Sequence, residues 1–227
     1  MKNKLRTVLS KKLLIFLGLS IFFTSQIYSQ QKTVKPQDSE SIFEEVYRVL
    51  QAKPKWLSTK EDCPWEIMSK TESDVGYLHE GCQKNARVCL DKCKNNDGNA
   101  CYSLALLVQI KKGLDQYEAE FLFSRACSLG VSSGCTNRAA RIFNDKKNDE
   151  KAVECATKTF EKTCARDDAW GCTMFGMSLA GGFGVEKDME KALKILAKPC
   201  QISDEGDPAC QSAKQIIEAI NKSKDIY

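Results

Sequence analysis

The sequence predicts an all-α fold, in which helix-turn-helix repeats stack into an α/α solenoid that is stapled by disulfides. Cysteines recur in pairs about every 36 residues, a period typical of helical repeat arrays. Between the pairs, apolar residues recur at helical spacing and are interrupted by turn residues. The four pairs are Cys93/Cys101, Cys127/Cys135, Cys164/Cys172 and Cys200/Cys210.

The first 29 residues have the composition of a Sec-type signal peptide. A basic leader precedes an apolar stretch of eleven residues, Leu13 to Phe23, and Ile27 and Ser29 fit the −3 and −1 positions of a cleavage site. Eleven residues are too few to span a bilayer, which takes roughly 20. We therefore expect a secreted or periplasmic protein with no stable membrane anchor.

The charge of the chain excludes nucleic acid as an expected partner. The first 29 residues hold five of the 34 basic side chains and none of the 30 acidic ones, so 29 basic and 30 acidic side chains remain, a net charge of −1. No basic stripe that could neutralise phosphates is visible in that remainder. The net charge of +4 on the whole chain therefore comes from the predicted signal peptide.

Twelve cysteines in an exported chain indicate an oxidising destination. Zinc is the competing interpretation, but the chain has no C-x-x-C pair and its single histidine is His79, so no metal site and no cofactor are expected. Each of the four pairs flanks a short turn, which can bring two cysteines within disulfide reach. We expect all four pairs to be bonded.

The remaining four cysteines are harder to pair. We expect Cys63 to bond with Cys89, because antiparallel packing brings the start of one helix near the end of the next. Cys82 and Cys89 lie about 10.5 Å apart if they share one helix, which is too far to bond. Cys82 is therefore left unpaired, and Cys155 is interpreted as a small buried hydrophobe.

The chain is divided at Cys63, where the repeats are expected to begin. Residues 30–62 are interpreted as a flexible leader over Gln30–Gln37 followed by a capping helix, which starts at the capping box Ser41–Glu44 and ends at Pro54. The array then covers residues 63–227. Its expected units are 63–100, 101–134, 135–171, 172–209 and a C-terminal capping helix, 210–227.

The unit Cys172–Cys200 shows the expected helix, turn and helix most clearly. Small or apolar residues fall at its fifth and eighth positions, Gly176 and Leu179, and three glycines then break the helix. Asp188 is placed to cap the second helix. The same positions hold Ala105 and Val108, Ala139 and Ile142, and Lys214 and Ile217 in the other units.

This unit resembles the Sel1-like repeat, a relative of the tetratricopeptide repeat. The resemblance rests on C-x-x-F-G-x-x-L, then G-x-G-V, then D-x-x-K-A and a closing cysteine. The C-x7-C linkers, with Ala126–Gly130 before Cys135, look like the disulfide-bridged branch, the Helicobacter cysteine-rich proteins. The resemblance implies exported proteins whose bridges join successive units. Some members have been described as binding penicillins or hydrolysing them slowly, and others as adaptors.

The sequence favours a non-enzymatic scaffold that binds a protein or peptide partner, or cell-wall material, and that is a monomer. The alternative is a penicillin-binding protein with weak β-lactamase activity, which rests on the resemblance alone. The S-D-N and K-T-G motifs of serine β-lactamases do not occur in the chain. No catalytic residue is therefore expected.

A ligand site is predicted at Arg138 and Arg141. They lie three residues apart, on one face of a predicted helix, and could together bind a carboxylate. Trp170 could supply an apolar wall, and Met174 is expected to point away from the core in the first helix of the next unit. The alternative is a solvated arginine pair and a packed tryptophan, because exposed charges usually serve solubility.

Overall fold

A computed structural model describes residues 36–57, 63–72, 79–114 and 116–224. The predicted signal peptide lies outside these residues. Within them the chain forms twelve α-helices and no strand, and the chain from Ser39 onwards is one compact unit. The helices are α1 (Pro36–Gln51), α2 (Pro64–Ile67), α3 (His79–Lys84), α4 (Ala86–Lys94), α5 (Gly98–Lys112), α6 (Tyr117–Ser128), α7 (Ser132–Asp145), α8 (Glu150–Cys164), α9 (Ala169–Gly181), α10 (Met189–Leu196), α11 (Pro199–Ile202) and α12 (Pro208–Lys224).

The helices pack as a repeat array. From α3 to α10 each helix packs against the next one along the chain, as expected for helices joined by short connections. Some helices that are not consecutive also lie side by side, since α3 contacts α5, α7 contacts α9, and α9 contacts α12. The predicted all-α solenoid is therefore confirmed. None of the helices described combines the length and the apolar character needed to cross a membrane.

The three C-x7-C linkers reverse the chain by the same turn. The third residue after the first cysteine adopts a left-handed conformation in each. These residues are Asn96, Gly130 and Asp167, with φ of 69°, 95° and 56°. The next N–H then donates back to the carbonyl five residues earlier, at 3.0 Å. These bonds run from Asp97 to Lys92, from Val131 to Ala126 and from Asp168 to Thr163. Such a turn ends one helix while satisfying its last carbonyls.

Two of the linkers also start the next helix with an aspartate cap. Asp97 accepts a hydrogen bond from the Ala100 N–H at 3.0 Å, and Asp168 accepts one from the Gly171 N–H at 2.7 Å. Val131 takes this place in the middle linker, without a side-chain cap. The end of one helix and the start of the next are thus encoded within about four residues of each linker.

The four predicted pairs are disulfides. Their Cα–Cα distances are 4.6 Å for Cys93–Cys101, 4.5 Å for Cys127–Cys135, 4.3 Å for Cys164–Cys172 and 4.7 Å for Cys200–Cys210. These distances lie at the short end of the usual disulfide range. Each bridge therefore ties the end of one helical unit closely to the start of the next.

The predicted pairing of the other four cysteines is wrong. Cys89 bonds to Cys82 across a Cα–Cα distance of 5.5 Å, and Cys63 bonds to Cys155, 92 residues away. The prediction assumed one continuous helix through Cys82 and Cys89. The chain instead breaks at Asn85, whose side chain caps α4 by accepting from the Arg87 N–H. All twelve cysteines lie in the described part of the chain, and none of them is free.

The small and apolar positions of the repeat form the core. Residues at the fifth and eighth positions of the three clearest units are buried, as predicted. They are Ala105, Val108, Ala139, Ile142, Gly176 and Leu179. At Gly176 a Cβ atom would lie 2.5 Å from Leu196 Cγ, so a small residue is required for α10 to approach. In the last helix the equivalent Lys214 and Ile217 are only partly buried.

Helix α1 begins earlier than the sequence predicts. It starts at Pro36, so Ser41 lies inside the helix and the predicted capping box is wrong. Pro36 and Gln37 accordingly belong to α1 and not to the predicted leader. The helix ends at Gln51, before Pro54 as expected, and buries Phe43 and Leu50 in the core.

Ion pairs join α1 to two helices of the array. Lys111 and Lys112, at the end of α5, contact Glu40 and Glu44 at 2.5 and 2.6 Å, and Arg87 of α4 pairs with Glu45. These pairs are exposed to solvent, so each contributes little to stability. The buried apolar face of α1 therefore holds it in place.

Substitution of two glycines tests how closely the chain packs at a linker. Gly134 lies inside the middle linker, and Gly81 is the control. A Cβ at Gly134 would lie 2.8 Å from Ala126 Cβ and 2.9 Å from the Phe123 carbonyl oxygen, whereas a Cβ at Gly81 would meet no atom within 4 Å. Overpacking should make Gly134→Ala less stable by about 1–3 kcal/mol. Gly81→Ala lies in α3 and should be neutral or stabilising by up to about 1 kcal/mol. Urea denaturation of both variants checks this, and equal effects would contradict it.

Candidate functional site: a charged pocket between three helices

A pocket of about 420 Å³ opens where α7 ends and α8 begins, beside the start of α6. Helix α6 contributes Tyr117 and Glu120, and α7 contributes two arginines and Ile142. The turn into α8 and its first residues add further charged groups. These are Lys146, Asp149 and Lys151, and Asp145 at the end of α7 lies beside them. The pocket is therefore small, charged and built from three consecutive helices.

The repeat pattern explains why two arginines reach this pocket. Ala139 and Ile142 occupy the core positions of α7, and Arg138 and Arg141 each precede one of them by a single residue. One residue advances a helix by about 100°, so both arginines lie beside the core and not opposite it. The structure brings Arg138 and Arg141 together in one pocket, where the sequence predicts a ligand site.

Glu120 is the buried acid of the pocket. Its side chain is 11% exposed and pairs with Arg138, whose Nη1 atom lies 3.2 Å from Glu120 Oε2. Burial raises the pKa of the Glu120 carboxyl to about 7, although the charges of Arg138 and Arg141 act in the opposite direction. Asp145 adds a smaller upward contribution to that pKa. Glu120 is thus a carboxyl group that is close to half-protonated at neutral pH.

Arg141 is held differently from Arg138. Its Nε donates to Asp145 Oδ2 at 2.6 Å, one helical turn further along α7. Asp145 is 49% exposed, so its charge remains solvated. Each guanidinium therefore already meets a carboxylate, one buried and one exposed. The predicted carboxylate clamp is present as two ion pairs and not as two open guanidinium groups.

The Cys63–Cys155 disulfide forms part of the pocket wall. It anchors the segment that contains α2, which packs against α6, α7 and α8. Lys158 Nζ lies 3.9 Å from the centre of the Trp65 ring, and Arg166 donates to the Ser69 carbonyl oxygen at 2.8 Å. The disulfide and these contacts fix the segment around α2 against the later repeats that form the pocket.

The other two predicted ligand residues lie elsewhere. Trp170 is the second residue of α9 and is 40% exposed, at the linker end of the helices. Met174 is half-buried and packs against the core of α7–α10. Neither residue lines the pocket. A ligand role for Trp170 and Met174 therefore stays a prediction that is separate from this pocket.

Sequence reasoning missed Glu120 and Cys155. Glu120 lies on the same face of α6 as the buried Phe123 and Ser124, three and four residues later. A carboxyl group on a buried face needs a partner, and that signal could have directed attention to Arg138. Four cysteines left over in an oxidising compartment could similarly have predicted two further disulfides.

Among known proteins, one solved structure is similar to this chain. No family model matches the chain. No curated protein matches it either. Helicobacter pylori cysteine rich protein B is 25% identical to this chain, and the match covers 60% of this chain and 97% of that one, with a TM-score of 0.41. That protein comes from the cysteine-rich Helicobacter group that the C-x7-C linkers resemble. The helices and the six disulfides of this chain establish its own fold.

The raised pKa of Glu120 predicts how stability depends on pH. The native state holds this proton more tightly than the unfolded chain, whose carboxyl keeps the ordinary pKa of 4.5. The contribution of Glu120 to stability is therefore greatest below pH 4.5 and is lost as the pH rises to about 7. Relative to Glu120→Gln, the wild type should lose on the order of 2–3 kcal/mol across that interval.

Urea denaturation at several pH values measures this difference. Glu45→Gln is the matched control, because Glu45 also pairs with an arginine but is exposed. The hydrogen bond from Arg87 lowers the pKa of Glu45 below 4.5. The wild type and Glu45→Gln should therefore differ by a constant amount between pH 5 and 8. A constant difference between the wild type and Glu120→Gln would contradict the raised pKa.

Proposed function

We propose that this protein is a non-enzymatic binding scaffold of the periplasm or the extracellular medium. It binds peptide or cell-wall ligands through a carboxylate, at the pocket formed by α6, α7 and α8. The observation that carries the proposal is the convergence of Arg138 and Arg141 in that pocket. The six disulfides support the oxidising compartment, because such bonds persist outside the cytosol.

The size and charge of the pocket support a small anionic group as its ligand. A volume of about 420 Å³ falls within the range of ligand pockets, roughly 300–1,000 Å³. Four cationic side chains and three carboxyl groups line it, and one of those carboxyls, Glu120, has a pKa of about 7. The pocket is therefore net positive at neutral pH. Arginine binds carboxylates with two parallel hydrogen bonds, which favours it over lysine for this task.

The lining supports binding and not hydrolysis. Its two cysteines are bonded to each other, so neither is a thiolate nucleophile. The lining residues include no serine, and the one tyrosine, Tyr117, has no histidine beside it in the lining. Covalent catalysis needs a nucleophile within hydrogen-bond reach of a base. The pocket offers charge complementarity without such a pair.

Two short ligands separate the candidate sources of the carboxylate. N-acetyl-D-Ala-D-Ala reproduces the end of a cell-wall stem, and N-acetyl-L-Ala-L-Ala reproduces an ordinary peptide end. Each is titrated calorimetrically at pH 6 as the free acid and as the C-terminal amide. We expect the acids to bind at least tenfold more tightly than the amides, because a charge-assisted hydrogen bond is worth about 1.5–3 kcal/mol. A preference between the D and L forms identifies the source.

Arginine variants locate the site. Arg138→Ala/Arg141→Ala should keep the fold and weaken binding of the acids at least tenfold. Arg48→Ala/Arg87→Ala removes two exposed arginines of α1 and α4, outside the pocket, and should bind like the wild type. Equal binding of acid and amide, or unchanged affinity in the pocket variant, would refute the site. Turnover of nitrocefin, a β-lactam substrate, by the oxidised protein would refute the non-enzymatic scaffold and indicate a hydrolase.

A further inference from the structure

The pocket contains a carboxyl group in the place that a ligand carboxylate would take. Glu120 Oε2 lies 3.2 Å from Arg138 Nη1, and both side chains are largely buried, at 11% and 20% exposure. A ligand carboxylate that binds Arg138 at the edge facing Glu120 therefore competes with Glu120 for that guanidinium. Resting on the proposed carboxylate site, we infer that a bound carboxylate displaces Glu120 from Arg138 and that Glu120 takes up one proton from solvent as it is displaced.

The charged groups around Glu120 make proton uptake the favourable outcome. Helix α7 presents Arg138, Arg141 and Asp145, and the turn into α8 presents Lys146 and Asp149. Lys151 of α8 completes the set. None of the lining residues belongs to α5, and Cys63 is in a disulfide and does not titrate. A ligand carboxylate would stand beside both Glu120 and Asp145, with two guanidiniums to share. Like charges held this close in a partly buried site cannot all remain ionised without a large cost.

Glu120 is the carboxyl group that can be neutralised most easily. Asp145 is 49% exposed, so water stabilises its charge, whereas Glu120 is almost enclosed. Burial already raises the pKa of Glu120 to about 7, so about half of the molecules carry its proton at neutral pH. Once protonated, Glu120 is uncharged and no longer competes with the ligand carboxylate for Arg138. Ligand binding and protonation of Glu120 are linked, and each strengthens the other.

This linkage makes the affinity depend on pH in a defined way. Only molecules with a protonated Glu120 are competent to bind, so the apparent Kd rises as that fraction falls. Raising the pH from 7 to 8.5 should weaken the binding of the acids to the wild type roughly fifteenfold. Glu120→Gln lacks the titrating group. Its affinity should vary less than twofold over that range and should exceed that of the wild type by about tenfold at pH 8.

The experiment titrates N-acetyl-D-Ala-D-Ala and N-acetyl-L-Ala-L-Ala by calorimetry between pH 5.5 and 8.5, in two buffers with different heats of ionisation. The ligand carboxylates do not titrate in this range, so proton uptake reports on the protein. The wild type should take up about half a proton at pH 7, and Glu120→Gln none. Glu45→Gln, which removes an exposed arginine-paired acid, should behave like the wild type. Proton uptake by the wild type needs no variant and so does not depend on how Glu120→Gln folds.

The outcomes separate this inference from the proposed function. If the acids bind through Arg138 and Arg141 but with the same pH profile in wild type and Glu120→Gln, the competition is refuted and the scaffold stands. Weaker binding by Glu120→Gln at pH 8 would make Glu120 a direct ligand contact, and would also refute the competition. If neither acid binds the wild type or Glu120→Gln at any pH, both proposals fail.

Discussion

The reversal of the chain inside each C-x7-C linker is the constraint on which the rest of the array depends. One left-handed residue, one backbone hydrogen bond and one disulfide act together within ten residues. The turn sets where one helix ends, and the next helix starts at once. Since each linker repeats the same geometry, successive helices meet at the same heights and bury the same small and apolar positions. The linkers thus convert local geometry into a regular stack.

The pocket follows from that regularity at the opposite end of the helices. Because the linkers align one end of each unit, the turn between α7 and α8 and the start of α6 come together at the other end. The Cys63–Cys155 bond then closes the wall by joining the segment around α2 to α8. Its closed loop spans 92 residues against 8 for a linker bond, so a chain-entropy estimate gives about 4–5 against about 2–3 kcal/mol. The strongest of these restraints therefore acts at the candidate site.

The sequence predicts well what is decided locally and poorly what is decided by contacts between distant residues. The linker disulfides, the core positions Ala139 and Ile142, and the arginines beside them follow from spacing along one or two helices. The Cys63–Cys155 bond and the pairing of Glu120 with Arg138 join separate elements, and no local spacing encodes them. Asn85 shows a third case, in which a single capping residue broke a helix that the spacing treated as continuous.

The most direct test of this account is a disulfide map of the native protein, isolated without reductant and digested under non-reducing conditions. Mass spectrometry should find the linker peptides cross-linked in three local pairs, with Cys63 joined to Cys155 and Cys82 joined to Cys89. These pairings are the ones that the repeated chain reversal and the closed pocket wall require. Free thiols in the linkers, or Cys63 joined to any cysteine other than Cys155, would contradict it.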